Sequence, residues 1–280
     1  MLAIPESLSA QLRSYDARDR SEAVLRLVPG AFDDAAAITM LVNVLCTDDD
    51  LNVVEDATWV LVRHGDAATT ALLDVIKHAD ARARHNVVHA LGKLGDRRAV
   101  PALIAATGDA EVMVRMKAVY ALGQIGDAGA VDALVGRLGD PVQEVAYTAR
   151  EVVERFDGAA LMALIEALKS GSTQARELAA SLLGDLGDAR AVEGLLAALA
   201  TDDWQVRVAV IEALGGIGDT RALPHIERLL DDSQQPVRAM AAAMHRRLTK
   251  SGGHKERTPR MASHMQHDKS LWSHFLRPQF

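Results

Sequence analysis

The chain has 280 residues, is 49% hydrophobic but only 4% aromatic, and carries a formal net charge of −7, a composition that excludes a membrane-embedded protein and a uniformly basic nucleic-acid coat. Charge is uneven: residues 1–249 sum to −11 and residues 250–280 to +4, so the body as a whole repels phosphate backbones and nucleic acid is disfavoured as a partner. The single cysteine, Cys46, excludes an internal disulfide and any all-cysteine metal or iron–sulfur site, and reads as a small apolar residue closing a helix.

In chain order, Met1 to Glu6 has neither the basic nor the apolar region of a secretory leader. No stretch approaches the roughly 18 apolar residues of a membrane helix, so a cytoplasmic protein without membrane contact is expected. Residues 1–32 read as an N-terminal helical cap out of register with the rest of the chain, its helix running from Ser21 through Val28 and ending at Pro29-Gly30. From residue 33 to 249 the chain reads as two-helix units: a first helix with leucine and valine at helical spacing, a short acidic turn, then a second helix. Seven second helices centre near Ala57, Val87, Ala118, Ala149, Ala179, Val210 and Ala241. The acidic turns Asp48-Asp49-Asp50, Gly108-Asp109, Gly139-Asp140-Pro141, Asp202-Asp203 and Asp231-Asp232 offer helix-starting residues, since a carboxylate can satisfy the free N–H groups of a helix start. Between units, Gly65-Asp66, Gly95-Asp96, Gly126-Asp127, Gly187-Asp188 and Gly218-Asp219 close one helix in the left-handed region and open the next on aspartate. Pro101 and Pro224 fall in first turns, where a missing N–H costs little.

The organising feature is an internal repeat. Arg84, Arg115, Arg176, Arg207 and Arg238 share one frame, with gaps of 31 or 61 residues, and Val114-Arg115-Met-Lys-Ala118-Val-Tyr-Ala121-Leu122-Gly123 returns as Val206-Arg207-Val-Ala-Val210-Ile-Glu-Ala213-Leu214-Gly215. The fourth unit departs: Ala146 takes the arginine position and Phe156-Asp157-Gly158 the Ile-Gly-Asp turn, as a joint of different curvature or simple drift would produce. The pattern resembles the short HEAT-like repeat named after the phycobilisome bilin lyases, over residues 33 to about 249. That resemblance implies an all-α, right-handed alpha solenoid of about seven two-helix repeats whose second helices line the concave side. The family holds bilin lyase subunits, deoxyhypusine hydroxylases and adaptors without chemistry, so fold alone leaves function open. The repeating arginines form a structural ladder, able to reach backbone carbonyls or turn aspartates of neighbouring units.

Positions one and five after each arginine frame lie opposite the core face of the second helix. In the first half of the array they hold Trp59, His85, His89, Met116, Tyr120 and Tyr147, the side-chain types that anchor protein interfaces. The alternative is scattered surface side chains, or packing between neighbouring helices. Trp204, at the rim of its helix, reads as mainly structural.

His85 and His89 stand four apart, a spacing that puts two imidazoles on one helix face as in metal sites, and His85 occupies the place of a histidine in the hydroxylase branch. Asn86 stands where that branch has glutamate, and no unit carries a His-Glu pair, so no metal, cofactor or catalytic residue is assigned. A bilin lyase subunit is the alternative function, since Trp59, Tyr120 and Tyr147 with Arg63, Lys93 or Lys117 would offer aromatic walls and cations to a tetrapyrrole. The expected function is a non-catalytic scaffold binding another protein, as a peptide or helix, in the concave groove. Residues 250–280 read as a flexible basic, His-rich tail. Ser263-His264-Met265 and Trp272-Ser-His with Pro278-Gln-Phe280 resemble a cloning scar and a streptavidin-binding tag; a native arm presenting Leu271, Trp272, Phe275, Leu276 and Phe280 is the competing reading.

Overall fold

The computed structural model describes residues 2–78 and 80–251; the tail beyond, with its scar, tag and arm readings, lies outside the described residues. Sixteen α-helices and no strand are found among them. After α1 (Glu6–Gln11) and α2 (Ala17–Leu25) come α3 (Asp34–Thr47) with α4 (Leu51–His64), α5 (Asp66–Val75) with α6 (Ala81–Leu94), and α7 (Val100–Ala106) with α8 (Val112–Ile125). The array continues with α9 (Val131–Gly136) and α10 (Gln143–Glu154), α11 (Leu161–Ser170) and α12 (Thr173–Leu186), α13 (Val192–Ala198) and α14 (Trp204–Ile217), and α15 (Leu223–Arg228) and α16 (Gln235–Ser251). Ala57, Val87, Ala118, Ala149, Ala179, Val210 and Ala241 are fully buried, and one apolar cluster runs from Leu8 to Leu248. Each pair thus buries its apolar face against the next, the condition for a solenoid.

At every joint but that from α10 to α12, neighbouring second helices are in wider contact than neighbouring first helices, so the stack bends toward them and they line its inner face. The glycine eight positions after the arginine frame sets this approach. A Cβ on Gly92 would stand 2.8 Å from the Ala121 Cβ, on Gly123 2.7 Å from Val152 Cγ1, and on Gly184 2.8 Å from the Ala213 Cα. Unit one has Val62 at that position and unit four has Glu154; contact is reduced from α4 to α6 and most from α10 to α12.

Arginine forks tie the units together. Arg115 donates through Nε and Nη2 to both oxygens of Asp140 at 2.9 and 3.0 Å, and through Nη1 to the carbonyls of Asp109 and Ala110. Arg84 does the same to Asp109 (2.8 and 2.9 Å) and the His78 carbonyl. Arg207 reaches Asp232 through Nη2 alone, Arg176 uses the Leu168 carbonyl and the Thr201 hydroxyl, and Arg238 donates to the Asp232 and Ser233 carbonyls. These guanidinium–carboxylate bonds hold Asp109 well below the usual carboxylate range. Burial pushes Asp140 and Asp232 up, yet the bonds from arginine and turn N–H groups outweigh it, and both end below that range.

The structure corrects the sequence reading at several points. The N-terminal helix is Ala17–Leu25 rather than Ser21 to Val28, because Asp16 accepts from the Arg18 N–H and opens it earlier. Although its spacing to the next unit is stretched, Arg20 on this helix forks Asp48 at 2.7 and 2.9 Å and donates to the Ser14 and Tyr15 carbonyls, as a frame arginine does. Asp50 and Asp203 do cap α4 and α14, but Asp109 and Asp140 do not cap α8 and α10, whose N-cap positions are Glu111 and Val142. Their carboxylates instead bind a turn N–H with one oxygen and the fork arginine with both. Gly95, Gly126, Gly187 and Gly218 close their helices at φ 68–78°, and the aspartates after them accept from the N–H two residues on. Asp66 already belongs to α5 and makes no such cap. In the fourth unit Asp157, at φ 46°, takes the left-handed place of glycine. Cys46 is buried in the core, and burial with Asp80 nearby raises its thiol.

Candidate partner-binding site

Side chains four apart along a helix form one stripe, and in the second helices the stripe away from the core faces the inner surface. On α4 it reads Leu51, Glu55, Trp59, Arg63; on α6 Ala81, His85, His89, Lys93; on α8 Val112, Met116, Tyr120, Gln124; on α10 Gln143, Tyr147, Glu151, Arg155. Trp59 is 56% exposed, Tyr120 47% and Tyr147 45%, so three aromatic rings stand on the inner stripes of α4, α8 and α10 without serving the core, Trp59 and Tyr120 at corresponding heights and Tyr147 one turn nearer its helix start. Arg63 lies over the Trp59 ring, 5.1 Å from its centroid. Gln143 donates to the Tyr147 hydroxyl at 3.1 Å, fixing that ring's tip.

The other three predicted contact residues are less free than their helical position suggests. His85, His89 and Met116 are half-buried, because the glycine-mediated approach of α6 to α8 covers their flanks. His89 Nε2 lies 3.3 Å from Glu55 Oε2 on the neighbouring α4, and its Nδ1 is buried with no hydrogen-bond partner. Burial and then Lys117 push His89 down to about 4, against the pull of Glu55. His85 is lowered by burial and by Lys117, opposed by its bond to Asn86. Lys117 is itself half-buried beside them, lowered by burial and by Lys93 while Glu55 raises it. The spot thus holds two neutral imidazoles, a partly desolvated ammonium and one shared carboxylate.

Asn86, in the place of the hydroxylase glutamate, is turned into the array: it is buried, and its Nδ2 donates to the Leu45 carbonyl at 3.0 Å. Among the described residues no three His, Cys, Asp or Glu side chains group as a metal site requires. The inner stripes of the second half are more acidic: α12 presents Thr173, Glu177, Ser181 and Asp185, and α14 Trp204, Val208, Glu212 and Gly216. Burial, with Asp203 nearby, raises the Glu177 carboxyl. No helix among the described residues is long and apolar enough to cross a membrane.

The family of HEAT repeats matches residues 69–154 and 161–245. No curated protein matches the chain significantly. Among solved structures, human deoxyhypusine hydroxylase is similar at 24% identity, covering 77% of this chain and 97% of its own with a TM-score of 0.39. The complex of CpcE and CpcF of phycocyanin lyase from Nostoc sp. PCC7120 is similar at 22%, with 89% and 96% covered and a TM-score of 0.39. An archaeal HEAT-like repeats protein from Thermococcus onnurineus NA1 is similar at 14%, with 76% and 97% covered and a TM-score of 0.47.

Proposed function

Given that the chain belongs to the family of HEAT repeats, we propose that it is a non-catalytic scaffold that binds a segment of another protein on the inner face of its first half. The observation that supports this reading most is the row of exposed rings, Trp59, Tyr120 and Tyr147, on helices whose packing does not require them. Rigid aromatic side chains bury large area for little lost entropy, and a stack of helices holds them at fixed spacing without any ligand present. His89 and Met116 fill the surface between the rings. His85 lies beside them, and the arginine forks keep the platform rigid.

The test is affinity capture from the native cell with wild type and a Trp59→Ala/Tyr120→Ala variant of unchanged circular dichroism. Loss of one partner from the variant alone supports the reading. An identical partner list from both proteins overturns it. One arrangement favours a second reading, a tetrapyrrole-binding or lyase-subunit role: Arg63 stacked on Trp59, with Lys93 and Lys117 on the next two helices, offers cations beside aromatic walls. Visible absorbance of the protein purified from its native cell would distinguish that reading.

A further inference from the structure

Resting on the reading of the inner face as a docking groove, we propose that the groove is charge-polarised: it takes a bipolar protein segment, with an acidic, aromatic-bearing end over α4, α6 and α8 and a basic end over α12 and α14. Two cations, Arg63 and Lys93, stand in the inner stripes of the first three second helices, where Glu55 is the one carboxylate; Lys117 lies beside the α8 stripe, in the place that Asp56, which accepts from the Ser21 hydroxyl, takes on α4. Glu55 is already engaged with His89 at 3.3 Å. Lys117 sits half-buried with His85 and His89 beside it and Glu55 as its main charged neighbour, and makes no hydrogen bond or close ion pair among the described residues. A partly desolvated ammonium that makes no hydrogen bond is a place prepared for an anion.

The neighbouring groups decide which anion. The cationic zone is flanked by Trp59 and Tyr120, so the anion arrives with apolar surface attached, as an Asp or Glu next to an aromatic or aliphatic residue does. A phosphate polymer does not fit, because its charge repeats along its length while the groove changes sign. Beyond Tyr147 the inner stripes of α12 and α14 carry Glu177, Asp185 and Glu212 and no cation. Of these, Asp185 is met by Arg150 at 3.0 Å, whereas Glu177 has only Asp203 as a charged neighbour and is raised toward its neutral form. A basic side chain there would relieve the Glu177–Asp203 repulsion as a carboxylate would relieve the Lys93–Lys117 repulsion. Complementarity at both ends fixes the direction in which the partner lies.

The experiment uses the full chain and a displayed library of random peptides, each about 15 residues, the length of a helix laid in a groove. Binders competed by none of the inner-face substitutions are set aside using Trp59→Ala. The expected result is that the remaining peptides concentrate Asp/Glu beside an aromatic residue at one end and Lys/Arg at the other. Their affinity falls about tenfold or more on Lys117→Glu and on the exposed Lys93→Glu, and returns when the peptide acid is exchanged for lysine. Peptides that need Trp59 but show no acidic end, or that ignore both reversals, overturn the proposal and leave the docking groove standing. A library yielding no Trp59-dependent peptide overturns the groove reading and this proposal together. Biliverdin displacing the peptides is counted with the first of these only if the reversals leave peptide affinity unchanged.

Discussion

The forks make the array's stability testable one joint at a time, and Arg115 is the most informative. Its side chain is 11% exposed and that of Asp140 1%, and four donor–acceptor contacts converge on the guanidinium. Replacing Arg115 by methionine keeps the aliphatic stem but leaves the Asp140 carboxylate buried with the Val142 N–H as its one hydrogen-bond donor and Arg137, 3.8 Å away, as its remaining counter-charge. Removing one member of a buried pair destabilises by about 3–5 kcal/mol, mostly the penalty of the charge left behind. At about 2–4 °C per kcal/mol for a chain of this size, Arg115→Met should melt roughly 6–20 °C below wild type. Arg238→Met is the internal control, since Arg238 donates to two carbonyls and to no carboxylate among the described residues, and should cost about 1 kcal/mol. Adding Asp140→Asn to Arg115→Met removes the stranded charge while keeping an acceptor for Val142, and should recover at least about half of the loss. Urea unfolding followed by circular dichroism at neutral pH measures all four proteins. Equal losses at Arg115 and Arg238, or a double variant no better than Arg115→Met, would refute the reasoning.

The same geometry carries three further outcomes. Gly184→Ala should destabilise by about 1–3 kcal/mol despite its gain in helix propensity, because the new Cβ would stand 2.8 Å from a backbone atom of Ala213. Gly216→Ala, whose Cβ would have its nearest neighbour at 3.4 Å, should stabilise by up to about 1 kcal/mol; thermal melts of the pair check the opposite signs. Folded Asp109, Asp140 and Asp232 are lowered and Asp96 stands at about 2, so their contribution is complete above the unfolded value and is lost as pH falls from about 4 toward 2. Urea midpoints across that range should fall, and fall less in the Arg115→Met/Asp140→Asn protein. Trp59→Ala removes a 56% exposed ring and one stacked cation, so its stability should drop by less than about 1 kcal/mol, a limit checked by the same urea titration.

The sequence displays the repeat because a solenoid imposes one environment on each unit: the same buried alanine and leucine positions recur wherever a second helix meets its neighbours. Arg20 escaped that reading because the next unit has Val54 in the arginine place and the spacing stretches there. The signal was present in Arg20-x-x-Ala23-Val24-x-x-Leu27, whose three apolar residues are all buried. Asp109 and Asp140 looked like helix caps because a turn carboxylate serves either purpose, and which one prevails depends on a guanidinium 25 residues earlier. The glycine in Ala-Leu-Gly was visible as a letter, but its reason is a neighbouring helix at contact distance. The half-burial of His85, His89 and Met116 has the same origin. Helical periodicity places a side chain on a face and says nothing of how closely the next helix approaches that face.

The fourth unit shows why a departure from a repeat can be a coordinated solution. Three ties are missing at the joint from α10 to α12: Ala146 replaces the fork arginine, Gly171 stands 25 residues on where Arg84, Arg115 and Arg207 have an accepting aspartate and Arg176 a threonine, and Glu154 replaces the contact glycine. Gly171 is required by its surroundings, since a Cβ there would lie 2.7 Å from the Ala167 carbonyl and 2.9 Å from the Ala175 Cβ. With no side chain permitted at the acceptor position, an arginine at position 146 would be a buried cation without a carboxylate, and alanine, fully buried there, is the compatible residue. Arg150 on α10 instead reaches Asp185 on α12 at 3.0 Å, across the surface of the joint. A cleft of about 490 Å³ opens between α9, α11 and the start of α12, lined by Gly136, Gly139, Ala163, Ala167, Gly171 and Ala175. Restoring the repeat by Ala146→Arg should therefore destabilise the protein, by about 3 kcal/mol or more, where simple drift from an ancestral fork would make the same change neutral or stabilising. A urea midpoint at or above wild type for Ala146→Arg would show that the joint retains an acceptor for the arginine and that Gly171 did not dictate its loss.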